Sequence, residues 1–116
     1  MSEQQFGFER LDVYQVSYRA LELVLKYRSK LRGLPGEIAS QLQRAAVSTV
    51  SLIGEGYGRQ SLADKRHRRS IARGEANEAG AMIELVRLFD VLSDADYAEL
   101  RSSYLRVTWM LTAMLA

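Results

Sequence analysis

The sequence predicts an all-α protein, an antiparallel up-down-up-down four-helix bundle. Two observations carry that expectation. Apolar residues recur every third or fourth position along most of the chain, the period of a helix rather than of a strand. The 116 residues also hold only one proline and eight glycines, too few turn signals for a sheet protein of this size. The length predicts one domain, residues 1–116, with a modest core.

The first helix is expected from about Asp12 to Leu31. Val13, Ala20, Val24, Tyr27 and Leu31 share one stripe, widened by Tyr14, Ser17 and Leu21. Gly33-Leu34-Pro35-Gly36 ends it, because glycine frees the backbone and proline lacks the donor that a helix interior needs. The second helix is expected over 37–56, with Ile38, Leu42, Ala45, Ala46, Thr49 and Ile53 inward. That face is small enough for a neighbour to approach closely. Gly54, Gly56 and Gly58 mark its end.

Ser61 reads as an N-cap, followed three residues later by Asp64, so a third helix is expected from about Leu62 to Val91. Ile71, Glu75, Glu78, Met82, Leu85, Phe89 and Leu92 form its expected inner seam. Gly74 and Gly80 within it mark points of close packing or bending. Ser93 and Asp96 repeat the cap signature. The last helix, 94–115, turns Tyr97, Leu100, Tyr104, Val107, Leu111 and Met114 inward. The short breakers between helices make neighbours antiparallel.

Cysteine is absent, which excludes disulfides and thiolate metal sites. The N-terminus Met-Ser-Glu-Gln-Gln lacks the basic-then-apolar order of a signal peptide. No run approaches about eighteen apolar residues, so no membrane span is expected. A cytoplasmic protein fits these features.

Charge is unevenly placed. Residues Arg59 to Arg73 hold six of the sixteen Lys/Arg residues and one acid, a charge of +5. The remainder has ten bases and thirteen acids, or −3. Such asymmetry focuses positive potential on one region and points to an anionic partner, RNA or DNA first. The competing reading is a solvated charged face. Lys65, Arg69 and Arg73 recur at intervals of four, with Arg66 beside them. These four residues are the candidate nucleic-acid contacts, since guanidinium groups suit phosphate. No aromatic interleaves the run, so recognition would be of phosphate or shape and sensitive to salt.

Catalysis is not expected. The chain has one histidine, His67, and no Glu-x-x-His pair, so a carboxylate-bridged metal centre lacks ligands. No Ser-His-Asp arrangement follows from the spacing. Gly54 to Gly58 is glycine-rich, but the Gly-Lys element of a phosphate loop and the strand before it are missing. Neither cofactor nor metal is expected.

Several blocks resemble a known family. They are Phe8-Glu-Arg-Leu-Asp-Val-Tyr14, Gln43-Arg-Ala-Ala-Val-Ser48, Ile53-Gly-Glu-Gly-Tyr-Gly-Arg59, Ile71-Ala-Arg-Gly74 and Glu84-Leu85. In this order they resemble the family called "four helix bundle protein". Its members include proteins encoded in intervening sequences of bacterial large-subunit ribosomal RNA genes. The chain departs from the pattern at four places. Val50-Ser51-Leu52 stands where Pro-Ser-Asn is usual, Gly54 where Ala is usual, and Glu75 where Ser is usual. His67-Arg68-Arg69-Ser70 replaces a run of aromatics, adding charge where the family is more apolar.

The resemblance implies a homo-oligomer, a pentameric ring above all. A related branch, accessory proteins of diversity-generating retroelements, forms a pentameric barrel that works with a reverse transcriptase and its RNA. The function expected is therefore a non-catalytic oligomeric scaffold or accessory protein. The alternative is a direct RNA- or DNA-binding protein using the basic face of the third helix.

Arg44, Arg59 and Arg73 match the family pattern and are available to the carboxylates. Glu55 lies close to an apolar stripe, and Glu75 and Glu78 interrupt the expected seam of the third helix. Buried carboxylates need partners, so a structural polar network of Arg44, Glu55, Arg59, Glu75 and Glu78 is expected. Tyr18, Tyr57 and Trp109 fall outside the tight seams and are candidates for a protein interface.

Overall fold

In the computed structural model, which describes residues 4–116, a 3₁₀ turn at Gly7–Arg10 leads into five helices. They are α1 Asp12–Lys26, α2 Arg28–Leu31, α3 Ile38–Gly58, α4 Leu62–Leu88 and α5 Asp94–Leu115. No strand occurs among the described residues. Met1-Ser2-Glu3, part of the polar N-terminal stretch, lies outside them. The fold is all-α, with four long helices. Helix α1 packs on α3 and α5, and α4 packs on the same two partners.

Helix ends follow local chemistry. Ser61 Oγ accepts the Asp64 N–H at 3.0 Å, and Ser93 Oγ accepts the Asp96 N–H at 3.1 Å. Each satisfies one of the amides left unpaired in a first turn. Gly33 and Gly36 take positive φ, +93° and +65°, where a Cβ would be strained. Helix α3 runs unbroken through Val50-Ser51-Leu52 to Gly58, as expected where proline is missing. Helix α4 stops at Leu88 rather than Val91. Asp90 turns to φ 55°, the left-handed conformation in which helices often end and which Asp tolerates.

The expected first helix is in fact two. At Tyr27 the backbone moves to φ −95°, ψ 4°, outside helical geometry. The Tyr27 N–H still donates to Leu23 O at 3.1 Å, so the axis continues into α2 after one irregular residue. Val13, Ala20, Val24, Tyr27 and Leu31 are all buried. The same holds for Leu42, Ala45, Ala46, Thr49 and Ile53 on α3, and for Leu100, Tyr104, Val107 and Leu111 on α5.

Helix α4 requires a correction. Its buried residues are Ala72, Ala76, Ala79, Ile83 and Val86. The expected seam lies on a neighbouring flank: Ile71 is 38% exposed, Leu85 40% and Phe89 43%. Glu75 and Met82 are half-buried and Glu78 is exposed. One residue of offset rotates a helix face by about 100°. The large side chains of the outer stripe dominate a reading based on apolarity. The contact with α3 and α5 instead selects alanines, which let helix backbones approach closely. Leu92, just beyond the helix, is buried as expected.

The glycines redistribute likewise. A Cβ on Gly74 or Gly80 would meet nothing within 4 Å, so neither is a point of close packing. Gly56 is one: its Cβ would lie 3.3 Å from Arg68 Cβ and 3.7 Å from the Lys65 carbonyl.

Candidate functional site

The geometry of α4 splits its basic run between two flanks. Around Gly56, the end of α3 meets the backbone of Lys65 and the aliphatic stems of Arg68 and Arg69. Lys65, Arg68 and Arg69 are half-buried there. On the opposite flank, Ala63, Arg66, His67, Ser70 and Arg73 line an open recess with Thr112, Leu115 and Ala116. Arg66 Nη2 donates to the Leu115 carbonyl. That oxygen belongs to the last turn of α5, where carbonyls lack helical partners and a cation is favoured.

Of the four candidate nucleic-acid residues, the structure therefore brings Arg66 and Arg73 to one recess. Lys65 and Arg69 lie toward α3. A four-residue interval overshoots a helical turn by about 40°, so a stripe read at Lys65, Arg69 and Arg73 winds around the helix. A seven-residue interval nearly returns to the same face, which is why Arg66 and Arg73 converge.

Farther along α4, beyond Lys65, Arg68 and Arg69, the flank away from that recess becomes acidic and apolar. Glu75 and Glu78 stand one turn apart on α4. Glu75 is held above the usual carboxylate range, first by burial and then by the charge and hydrogen bond of Glu78. Arg44 on α3 acts in the opposite direction. Of the expected polar network, Arg44, Glu75 and Glu78 are thus the members coupled through charge. Glu55 is exposed and Arg59 half-buried, and the structure does not draw them into that coupling. Ile71, Met82 and Leu85 continue the flank along α4, and exposed Val47 sits beside Arg44 on α3.

A third feature lies between α4 and α5. Ala76, Gly80 and Ala81 floor a shallow cleft whose other wall is Tyr104, Leu105 and Thr108. At its rim Arg101 Nε pairs with Glu84 Oε2 at 3.3 Å. Tyr97 donates to the same carboxylate oxygen at 2.6 Å, and Arg87 Nη1 donates to the Tyr97 hydroxyl at 3.2 Å. Sequence reasoning missed this group. Its members lie on two helices whose register no local pattern reports. Only the i,i+3 spacing of Glu84 and Arg87 was visible.

Tyr18, Tyr57 and Trp109 are exposed, Trp109 by 65%. Tyr18 ends a ladder of rings. Phe6 stacks on Phe8 at 5.1 Å, Phe8 meets Tyr14 at 4.8 Å, and Tyr14 meets Tyr18 at 6.0 Å. Among the described residues, no group of three or more His, Asp or Glu side chains is placed to hold a metal ion. No described helix is long and apolar enough to cross a membrane.

Comparison with known proteins places this architecture. A family model described as "23S rRNA-intervening sequence protein" matches residues 9–113. Among solved structures, the chain is similar to a protein of unknown function from the S23 ribosomal protein family of Bacteroides thetaiotaomicron VPI-5482. The two are 21% identical and superpose with a TM-score of 0.82, over 89% of this chain and 97% of that one. At that identity the likeness is one of fold. No curated protein matches the chain.

Proposed function

The chain belongs to the 23S rRNA-intervening sequence protein family, and from that premise we propose that it is a non-catalytic, cytoplasmic scaffold that assembles head-to-tail into a ring of its own copies. The resemblance drawn from the sequence favours five. The monomer is read as an antiparallel up-down-up-down bundle. Two contacts support this: Arg66 at the start of α4 reaches Leu115 at the end of α5, and Glu84 late in α4 meets Arg101 early in α5.

The observation that carries the reading is the second apolar stripe of α4. The inner stripe closes the monomer, while Ile71, Leu85 and Phe89 remain exposed beside it. The flanks of α4 also differ in charge. Glu75 and Glu78 lie on one, following half-buried Lys65, Arg68 and Arg69, and Arg66 and Arg73 lie on the other. A second copy of the chain offers a complementary surface to each. An acidic flank docking on a basic one is a heterologous contact, and such contacts close into rings when the rotation permits.

Solution mass tests this directly. Wild type is expected to assemble, and I71D/L85D and R66A/R73A each to run as monomers with unchanged helical content. Mixed, the two variants should form one-to-one dimers. Each then supplies one intact flank, and the broken flanks stop further growth. A monomeric wild type would overturn the scaffold reading. Full assembly of R66A/R73A would overturn the head-to-tail contact.

A second reading, RNA or DNA binding, is favoured by the recess of Arg66, His67, Ser70 and Arg73. Structured RNA and duplex DNA would be titrated over a salt series. Loss of one phosphate contact should lower the salt slope by about one, so R66A/R73A should weaken binding more than K65A/R69A. Absence of binding at low salt sinks this reading. Both readings use Arg66 and Arg73, so nucleic acid bound there should also lower the assembled mass.

A further inference from the structure

The outer stripe of α4 needs a surface to dock on, and the α5 side of the same helix offers one. We propose, resting on the head-to-tail reading, that the cleft between α4 and α5, with Trp109 on its rim, receives the Leu85–Phe89 end of the next copy's stripe. The floor of the cleft is small: Ala76, Gly80 and Ala81. Its volume is about 210 Å³, and an apolar cavity of about 150 Å³ already takes a benzene-sized group. A leucine or phenylalanine side chain therefore fits. Within the monomer nothing requires Gly80. A Cβ there would meet nothing within 4 Å, although glycine weakens a helix interior relative to alanine. Close approach by another chain gives that glycine a reason. Tyr104, in the far wall, is 1% exposed. Its hydroxyl is buried without a hydrogen-bond partner, where buried polar groups are normally paired. The single chain thus leaves this wall incomplete.

Charge and register commit the occupant to a second copy. The α4–α5 groove continues from Ala76 and Thr108 to Arg73 and Thr112, in the recess that Arg66 also lines and where no acid stands in the wall. The neighbour's stripe carries Glu75 and Glu78 between Ile71 and Leu85. In a ring, successive copies are related by one rotation, so successive α4 helices run in broadly the same direction. Setting the neighbour's Glu75 and Glu78 against Arg66 and Arg73 shifts one helix along the other by about seven residues, or about two turns. The neighbour's Leu85 then falls between Asn77 and Gly80, and its Phe89 between Ala81 and Glu84, all four of which line the cleft. Trp109 follows Thr108 and stands one turn beyond Leu105, both in the cleft wall. It is 65% exposed, which puts a large amphipathic ring of the kind that anchors interfaces beside the entrance.

The experiment fills the cleft. G80L places a side chain in it and leaves both the charged residues and the stripe intact. Solution mass is expected to show a monomer, with far-UV circular dichroism unchanged. Mixed with I71D/L85D, which keeps its cleft, G80L should form one-to-one dimers through its own stripe. Mixed with R66A/R73A it should stay monomeric, since both variants lack the same flank. W109A should raise the dissociation constant about tenfold or more. G80A, placed in the monomeric I71D/L85D background, should raise the thermal midpoint by about 2–5 °C. A lowered midpoint would show that the monomer itself uses the glycine, and overturns the proposal. Full assembly of G80L beside a monomeric I71D/L85D overturns it too and leaves the head-to-tail reading standing, as does pairing of G80L with R66A/R73A. Should G80L lose helicity, W109A decides, and assembly unchanged in W109A overturns the proposal. A monomeric wild type removes both readings.

Discussion

The Tyr27 hydroxyl donates to Asp96 Oδ1 at 3.0 Å, tying the irregular residue between α1 and α2 to the first turn of α5. It also lies 3.2 Å from Glu99 Oε1, and Lys30 Nζ reaches Asp96 Oδ2 at 3.4 Å. Burial, then the two carboxylates, push the Tyr27 phenol up to about 12. The Tyr27 hydrogen bond in turn holds Asp96 below the usual carboxylate range.

The two shifts set opposite limits. For Tyr27, whose folded value is raised, the stabilisation is complete below the ordinary phenol value and fades as pH rises toward about 12. For Asp96, whose value is depressed, it is present above the ordinary value and fades as pH falls below it. Y27F should therefore lower the urea midpoint at pH 8. It should also remove part of the alkaline loss that wild type shows above pH 10. Equal midpoints for the two proteins at pH 8 would show that the link contributes nothing to stability.

The alanine seam of α4 makes a sharper test of the fold. Ala72 is fully buried between helices, and adding three carbons there overpacks the contact. A72L should cost about 1–3 kcal/mol, measured by denaturant unfolding. L85A, on the stripe that apolarity alone would place inward, should cost less in the monomer. The reverse order would restore the seam expected from sequence.

Gly74 lies within α4, and a Cβ there meets open space. Alanine loses less backbone entropy on forming a helix. G74A should therefore stabilise the chain by about 0.5–1 kcal/mol. The same change at Gly56 should gain less, because its Cβ presses on Arg68 at 3.3 Å. Thermal midpoints of the two variants decide the comparison.

Ser61 caps the longest helix through one hydrogen bond to the Asp64 amide. S61A should cost about 1 kcal/mol, with amide exchange accelerated first over Leu62 to Lys65. A uniform change along α4 would show that the cap does not hold the end locally.

Much of this architecture was legible in the residues. Helical period, the two serine caps and the glycine–proline break each rest on chemistry within a few positions. They place four long helices and their ends to within a few residues. The inward stripes of α1, α3 and α5 were legible too, because their large apolar residues coincide with the buried face. On α4 the two criteria part. Apolarity points to Ile71, Met82 and Leu85, whereas packing selects Ala72, Ala76 and Ala79. Sequence periodicity cannot rank adjacent stripes when the better-fitting one is small.

The basic stretch shows the same division. The sequence by itself determined that positive charge concentrates between Arg59 and Arg73, since charge needs no geometry to be counted. Only the tertiary structure decided that Lys65 and Arg69 turn toward α3 while Arg66 and Arg73 share a recess beside α5. It also decided that Glu75 is half-buried, with its carboxyl pKa raised by burial, while Glu55 stays exposed. A helix turns by about 100° per residue, and its neighbours choose which angle faces inward. That choice depends on backbone approach across residues far apart in the chain, and no local pattern records it.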